Sequence, residues 1–375
     1  MSNIIYSLLN HSPMKTNSTA LLIILLISSL PFLAQELASP DQLLKEMITE
    51  KGIIGISAAY SIDGKTVWEG AEGYACKEGE IPFSTLTLSR IASIAKPMTA
   101  VAIMMLVEEG KLELEASIST YLPDFPQKGT RPITVKHLLA HTSGISQYKS
   151  NKERENTRTY SSMAEAMTVF QDRDLLFEPG KDFFYTTYGY VVLGRIIEVV
   201  SGLSYEEFMQ KRIWDVAGMN QTGVEKTGVS YENKSCLYHK DKKKTKEGKQ
   251  NDLSNRIPGG GFYSTVEDVM KFGHALLAGK FISDAALEKM TTNQQAKKEG
   301  NPYGLGWFLY APAPNENLVI GHSGGQTGAS TQLMILPKSK TVIVVLANTS
   351  GTWQEVVGLS SQLIQISESE RKKAN

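Results

Sequence analysis

Apolar positions change their period twice along the chain. Ile53–Ile62 and Lys65–Gly73 are β-patterned runs flanking Asp63-Gly64, a dipeptide suited to a two-residue hairpin turn. From Ile94 to about Leu277 the spacing is mostly helical, most clearly at Ile94–Glu109, Tyr188–Ser201 and Thr265–Leu277. Strand pattern returns at Gly306–Tyr310, Leu318–His322, Thr331–Leu336 and Thr341–Ala347, and a helix over Gln354–Ile366 closes the chain. This order predicts an α+β protein whose first and last strands share one antiparallel sheet, with a helical lobe inserted between them. The sheet lobe is expected over about 41–90 and 290–368, the helical lobe over about 91–289, and a fraying tail over 369–375.

The amino terminus departs from this pattern. Residues 20–34 (ALLIILLISSLPFLA) are too short for a spanning helix, which needs roughly 20 apolar residues, but suit the core of a signal peptide. Lys15 gives a short positive flank, and Met14 offers an alternative start. Residues 1–34 are therefore expected to export the protein to a bacterial periplasm or beyond, with an uncleaved membrane anchor as the alternative. Lys plus Arg and Asp plus Glu number 39 each, which removes any bulk electrostatic case for a nucleic-acid partner. Cys76 and Cys236 form one bridge or stay as two thiols. They cannot supply a four-ligand zinc site alone. The basic run Lys240–Lys249 reads as a solvated loop or hairpin tip.

Several groups compete as nucleophile. Gly321-His322-Ser323-Gly324-Gly325 has the G-x-S-x-G spacing of an α/β-hydrolase elbow, which requires a helix after the serine and a histidine downstream. Neither follows here, since His322 is the last of six histidines. His137 and His141 stand four apart, but Leu138 occupies the place of the metalloprotease glutamate, so both read as structural and no metal is expected. Ser-x-x-Lys occurs at Ser12, Ser93, Ser146 and Ser369, and only Ser93 opens a long helix. Pro97 fits only a first turn, which places the Ser93 hydroxyl among free amides at the positive end of the helix. Lys96 lies one turn on, on the same face. Its Ile, Ala and Met neighbours would desolvate the ammonium and lower its pKa toward that of a general base.

The order of blocks after Ser93 then resembles the serine β-lactamase and penicillin-binding-protein superfamily, specifically the class C β-lactamase-related hydrolases. The blocks are SRIASIAKPMTA (89–100), ITVKHLLAHTSGI (133–145), FFYTTYGYVVLGRIIEVVSG (183–202), PGGGFYSTVEDVMKFG (258–273), YGLGW (303–307) and GHSGGQTG (321–328). The mitochondrial β-lactamase-like serine proteases and their bacterial relatives share its departures at the second motif. The resemblance implies Ser93 as the acylated nucleophile, Lys96 as its partner and Tyr185 as a phenolate-type base. Thr187 stands where the family's Tyr-x-Asn has its amide, and cannot copy an amide's two donors. Tyr231-Glu232-Asn233 is a literal match but lacks the flanking block. His322, Ser323 and Gly324 occupy the place of Lys-Thr-Gly, and the Gly325 amide becomes the second oxyanion donor beside that of Ser93. His141–Gly144 is given a turn-shaping role only. The expected activity is cofactor-free hydrolysis of a small-molecule or peptide ester or amide, with poor use of β-lactams. The contrasting expectation is a non-catalytic penicillin-binding-like receptor or scaffold.

Overall fold

The structure, a computed structural model, describes residues 38–242, 244–294, 302–313 and 317–374, which lie in one compact unit. The leader expectation for residues 1–34 falls outside them. At the centre is a seven-stranded antiparallel sheet. Its strands are Gly55–Ile62 (β1), Lys65–Cys76 (β2), Ile81–Pro82 (β3), Phe308–Ala313 (β4), Asn317–Gln326 (β5), Ala329–Leu336 (β6) and Thr341–Ala347 (β7). Their spatial order is β3-β2-β1-β7-β6-β5-β4, so the amino- and carboxy-terminal strands meet at the β1–β7 pair, Ile56 opposite Ala347. Asp63 and Gly64 both take positive φ, 50° and 76°, as the predicted hairpin turn demands.

The continuous apolar run of β7 is explained by burial on both faces. Val342, Val344 and Leu346 join a core with the helices Ala95–Glu108 (α1) and Val266–Leu277 (α2). Ile343, Val345 and Ala347 face the opposite core, where Leu43, Leu44 and Met47 near the start of the unit pack with Leu359 and Leu363 of the closing helix Trp353–Ala374 (α3). That closing helix corrects the expectation of a tail over 369–375. It continues through Ser369, and the Tyr60 hydroxyl donates to Glu370 at 2.9 Å, tying the last turns to β1.

The middle of the chain is less purely helical than its spacing predicts. Phe262–Ser264 pairs on one side with Ser89–Arg90, just ahead of Ser93, and on the other with Gly223–Val224. The lysine-rich run forms the hairpin Tyr238–Asp241/Lys244–Glu247. Cys76 and Cys236 are joined in a disulfide that closes a loop of 160 residues and ties β2 to this hairpin. Among the described residues no helix is long and apolar enough to cross a membrane.

Candidate active site

A short 3₁₀ turn, Ala92–Ile94, leads directly into α1 and holds Ser93 at the helix entrance. Ala92 has φ +49°, a left-handed conformation unfavourable for an L-residue. The turn is clamped on both sides: the Ile91 amide donates to the Phe262 carbonyl (3.1 Å), and the Ile91 carbonyl accepts from Thr331 Oγ1 (3.0 Å).

Lys96 is fully buried, with its Nζ 3.0 Å from Ser93 Oγ, 2.7 Å from the Gly259 carbonyl and 3.3 Å from Thr187 Oγ1. Every one of these partners is an uncharged oxygen, and no carboxylate pairs with Lys96 among the described residues. Burial, and next the nearby charge of Arg256, push its pKa well below that of an ordinary lysine. Gly259 must be glycine for this approach, because a Cβ there would lie 2.6 Å from Thr187 Cγ2.

Tyr185 precedes Thr186, the N-cap of the helix Thr187–Ser201 (here the helix behind the site). Its ring centroid is 4.9 Å from Lys96 Nζ. Burial raises its pKa, which the influence of the Ser93 side chain offsets only in part, so the phenol is neutral at ordinary pH. Thr187 Oγ1 also accepts from Gln147 Nε2 at 3.1 Å. The Arg256 guanidinium stacks 4.6 Å over the Tyr148 ring. Gln147, Tyr148 and Arg256 have no part in the sequence reading. The only signal was position, since they border the blocks at 133–145 and 258–273, Gln147 and Tyr148 filling the variable places of the Ser-x-x-Lys at Ser146.

The other wall is the end of β5. Its pairing with β4 stops at Gly321 opposite Phe308, whereas its pairing with β6 continues to Gln326. A Cβ on Gly324 would lie 2.7 Å from the Ile91 carbonyl, so glycine is what lets this strand touch the nucleophile turn. Gly325 has open space where a Cβ would stand. This segment is strand throughout, which disposes of the elbow geometry.

His322 does not present a charge to the cleft. Its Nδ1 lies 2.7 Å from the Ser323 carbonyl, an acceptor only, so Nδ1 carries the proton and Nε2 accepts from the Tyr303 hydroxyl at 3.2 Å. Burial, then the charge of Lys96, lower its pKa to about 3 despite the favourable Ser323 contact. Its hydroxyl partner is thus Tyr303, not Tyr185. Tyr231 lies away from this cluster, with its hydroxyl accepting from the Lys226 amide (2.8 Å) and its ring against Tyr263. His137 closes a capping box, its Nδ1 accepting from the Thr134 amide, while His141 turns the other way, toward Thr186. The two histidines therefore do not act as one metal grip.

Comparison with known proteins matches this arrangement. Residues 40–363 fit the Beta-lactamase family model. The chain is 28% identical to the human serine beta-lactamase-like protein LACTB, mitochondrial, over 81% of its own length and 73% of that protein's. It is 30% identical to penicillin-binding protein 4* of Bacillus subtilis, over 82% of this chain and 71% of the other. The octameric penicillin-binding protein homologue from Pyrococcus abyssi superposes with a TM-score of 0.77 at 29% identity, over 87% of this chain and 76% of that one. With the Ser93 turn, the buried lysine and the β5 edge arranged as described, the chain belongs to the β-lactamase family.

Proposed function

We propose that the protein is a serine hydrolase that forms an acyl-enzyme at Ser93 and acts on uncharged esters, amides or peptides rather than on anionic β-lactams. The observation that carries this reading is the 3.0 Å contact between Ser93 Oγ and a buried lysine that meets no carboxylate among the described residues. The opposed environments of two neighbouring groups divide the proton work. Lys96, held toward its neutral amine, takes the proton of Ser93 as Oγ attacks the carbonyl carbon. The oxyanion forms between the amides of Ser93 and Gly325, each such donor being worth about 3 kcal/mol. Tyr185, a neutral phenol, gives its proton to the departing oxygen or nitrogen and recovers one from the Lys96 ammonium. Water, deprotonated by the same pair, then splits the ester and restores Ser93.

Preference for uncharged substrates follows from the β5 edge. A permanent cation there would hold a substrate carboxylate, and a neutral, internally bonded His322 does not. Export is part of the proposal, because the Cys76–Cys236 bridge suits an oxidising compartment and residues 20–34 suit a leader. The test is labelling with a fluorescent alkylphosphonate, followed by peptide mass spectrometry. The adduct is expected on the peptide containing Ser93 and absent from Ser93→Ala. An adduct on Ser323, or undiminished labelling of the variant, overturns the assignment.

A further inference from the structure

His141 has no function in the scheme above, yet it contacts the Tyr185 ring and the residues on both sides of it. Its carbonyl accepts the Phe184 amide at 2.9 Å, and its ring Nδ1 accepts the Thr186 amide at 3.2 Å. One residue thus holds the backbone on both sides of Tyr185. Its imidazole also lies against the phenol ring, with 4.3 Å between centroids and an angle of 43° between the planes.

Two features mark the position as more than filler. His141 takes φ +59°, the left-handed region that His and Asn enter more readily than most residues. With Nδ1 accepting, Nε2 carries the proton, and this buried N–H has no hydrogen-bond partner among the described residues. Such an unsatisfied group carries a desolvation cost, which an apolar residue of similar size would avoid. We infer that His141 is a positioning residue that fixes the Tyr185 phenol over Ser93 and Lys96 through the flanking amides. Accepting at Nδ1 requires the neutral ring, and burial, followed by the nearby Lys96, keeps it neutral.

This inference rests on Tyr185 carrying the proton, and the experiment separates the two claims. Turnover of a nitrophenyl ester is measured for His141→Asn and His141→Gln, alone and combined with Tyr185→Phe. Asparagine tolerates the left-handed backbone and can set its Oδ1 where Nδ1 accepts, whereas the longer glutamine cannot hold the Thr186 amide in the same way. His141→Asn is expected to keep kcat within about threefold and His141→Gln to lose roughly tenfold or more, with KM little changed in both, as for a misplaced catalytic group. The glutamine loss should vanish in the Tyr185→Phe background, since a residue acting through the phenol has nothing left to position. Equal activity of the two His141 variants, or the same glutamine loss with and without the phenol, overturns the inference. Full activity of Tyr185→Phe alone instead overturns the proton-transfer reading on which it stands.

Discussion

Two cations flank Ser93 at equal distance in sequence, Arg90 three residues before it and Lys96 three after, and both are buried. Arg90 is fully paired: its Nη2 and Nε donate to Glu225 at 2.6 and 2.9 Å, and its Nη1 to Asn251 Oδ1 (2.7 Å) and the Thr327 carbonyl (2.9 Å). Burial alone would raise the Glu225 carboxyl, but the bonds and charge of Arg90, helped by Lys234 at 3.1 Å, hold it at about 2. Among the described residues Lys96 donates only to neutral oxygens, and it feels the repulsion of Arg256. The difference separates a structural ion from a reactive one. A carboxylate keeps Arg90 charged and fixed, clamping the strand before Ser93 to the turn after Gly325. Withholding a carboxylate leaves Lys96 able to give up its proton.

The comparison breaks most directly at Lys96. Lys96→Met should reduce ester turnover by at least about 10²-fold, the low end of general-base contributions. The same variant should lose one component of the pH dependence of stability. A lysine whose folded pKa is depressed makes the native state bind fewer protons than the unfolded chain, so stability rises with pH from the folded pKa up to about 10.5. Urea melts between neutral and alkaline pH should show that rise in the native protein and a flatter trend in Lys96→Met. An unchanged slope would mean that Lys96 is an ordinary lysine.

Gly259→Ala probes the neutral side of the comparison. The added methyl meets Thr187 and displaces the carbonyl that accepts from Lys96. Displacement approaching 1 Å near a reacting group costs on the order of 10²-fold, and a loss of about tenfold in kcat is expected here. Wild-type kinetics from a folded Gly259→Ala would show that this contact does not tune Lys96.

Glu225→Gln probes the paired side, and its signature is stability, not chemistry. A buried guanidinium left without its carboxylate should lower the unfolding free energy by roughly 3–5 kcal/mol. Glu225 titrates at about 2 when folded against 4.5 in the unfolded chain, so its stabilisation is complete above pH 4.5 and is lost as pH falls from there toward 2. Acid unfolding of the variant should lack that component, while kcat per folded molecule stays near the native value. A large fall in kcat per folded molecule would give Arg90 a role in the reaction itself.

The smallest effect is expected at His322, a third buried basic group, which is settled by neutrality. With its pKa near 3, it should leave no inflection in kcat/KM between pH 5 and 8, and nitrocefin should be turned over slowly compared with short nitrophenyl esters. His322→Lys should narrow that gap several-fold by restoring a cation at the β5 edge. Nitrocefin turnover comparable with the best ester in the unmodified protein would show that the cation is dispensable.

What short-range spacing reports was legible in the sequence. Helix and strand periods gave the element order, and with it the meeting of the two terminal strand groups in one sheet. The Ser93–Lys96 contact follows from three residues of separation in a helical turn after a proline-compatible start. The boundaries moved where distant partners overrode local preference. Predicted to end at His322, β5 runs on through a glycine-rich stretch of low strand propensity because β6 supplies its ladder as far as Gln326. The last helix extends past Ile366 because β1 provides an anchor at Glu370.

The apolar neighbours of Lys96 already pointed to a lowered pKa, and tertiary structure decided the rest of the charge pattern. Arg90 and Glu225 are 135 residues apart, and nothing near either one in sequence shows that they pair. The residue types at Lys96 and His322 are plain from the sequence, but whether each is charged depends on Gly259, Thr187, Arg256 and Tyr303, which only folding brings within reach. Hydrophobic periodicity is a property of neighbours along the chain, whereas desolvation and Coulomb interaction depend on distance in space. The sequence therefore determined which groups stand beside Ser93, and the fold determined which of them carries the proton.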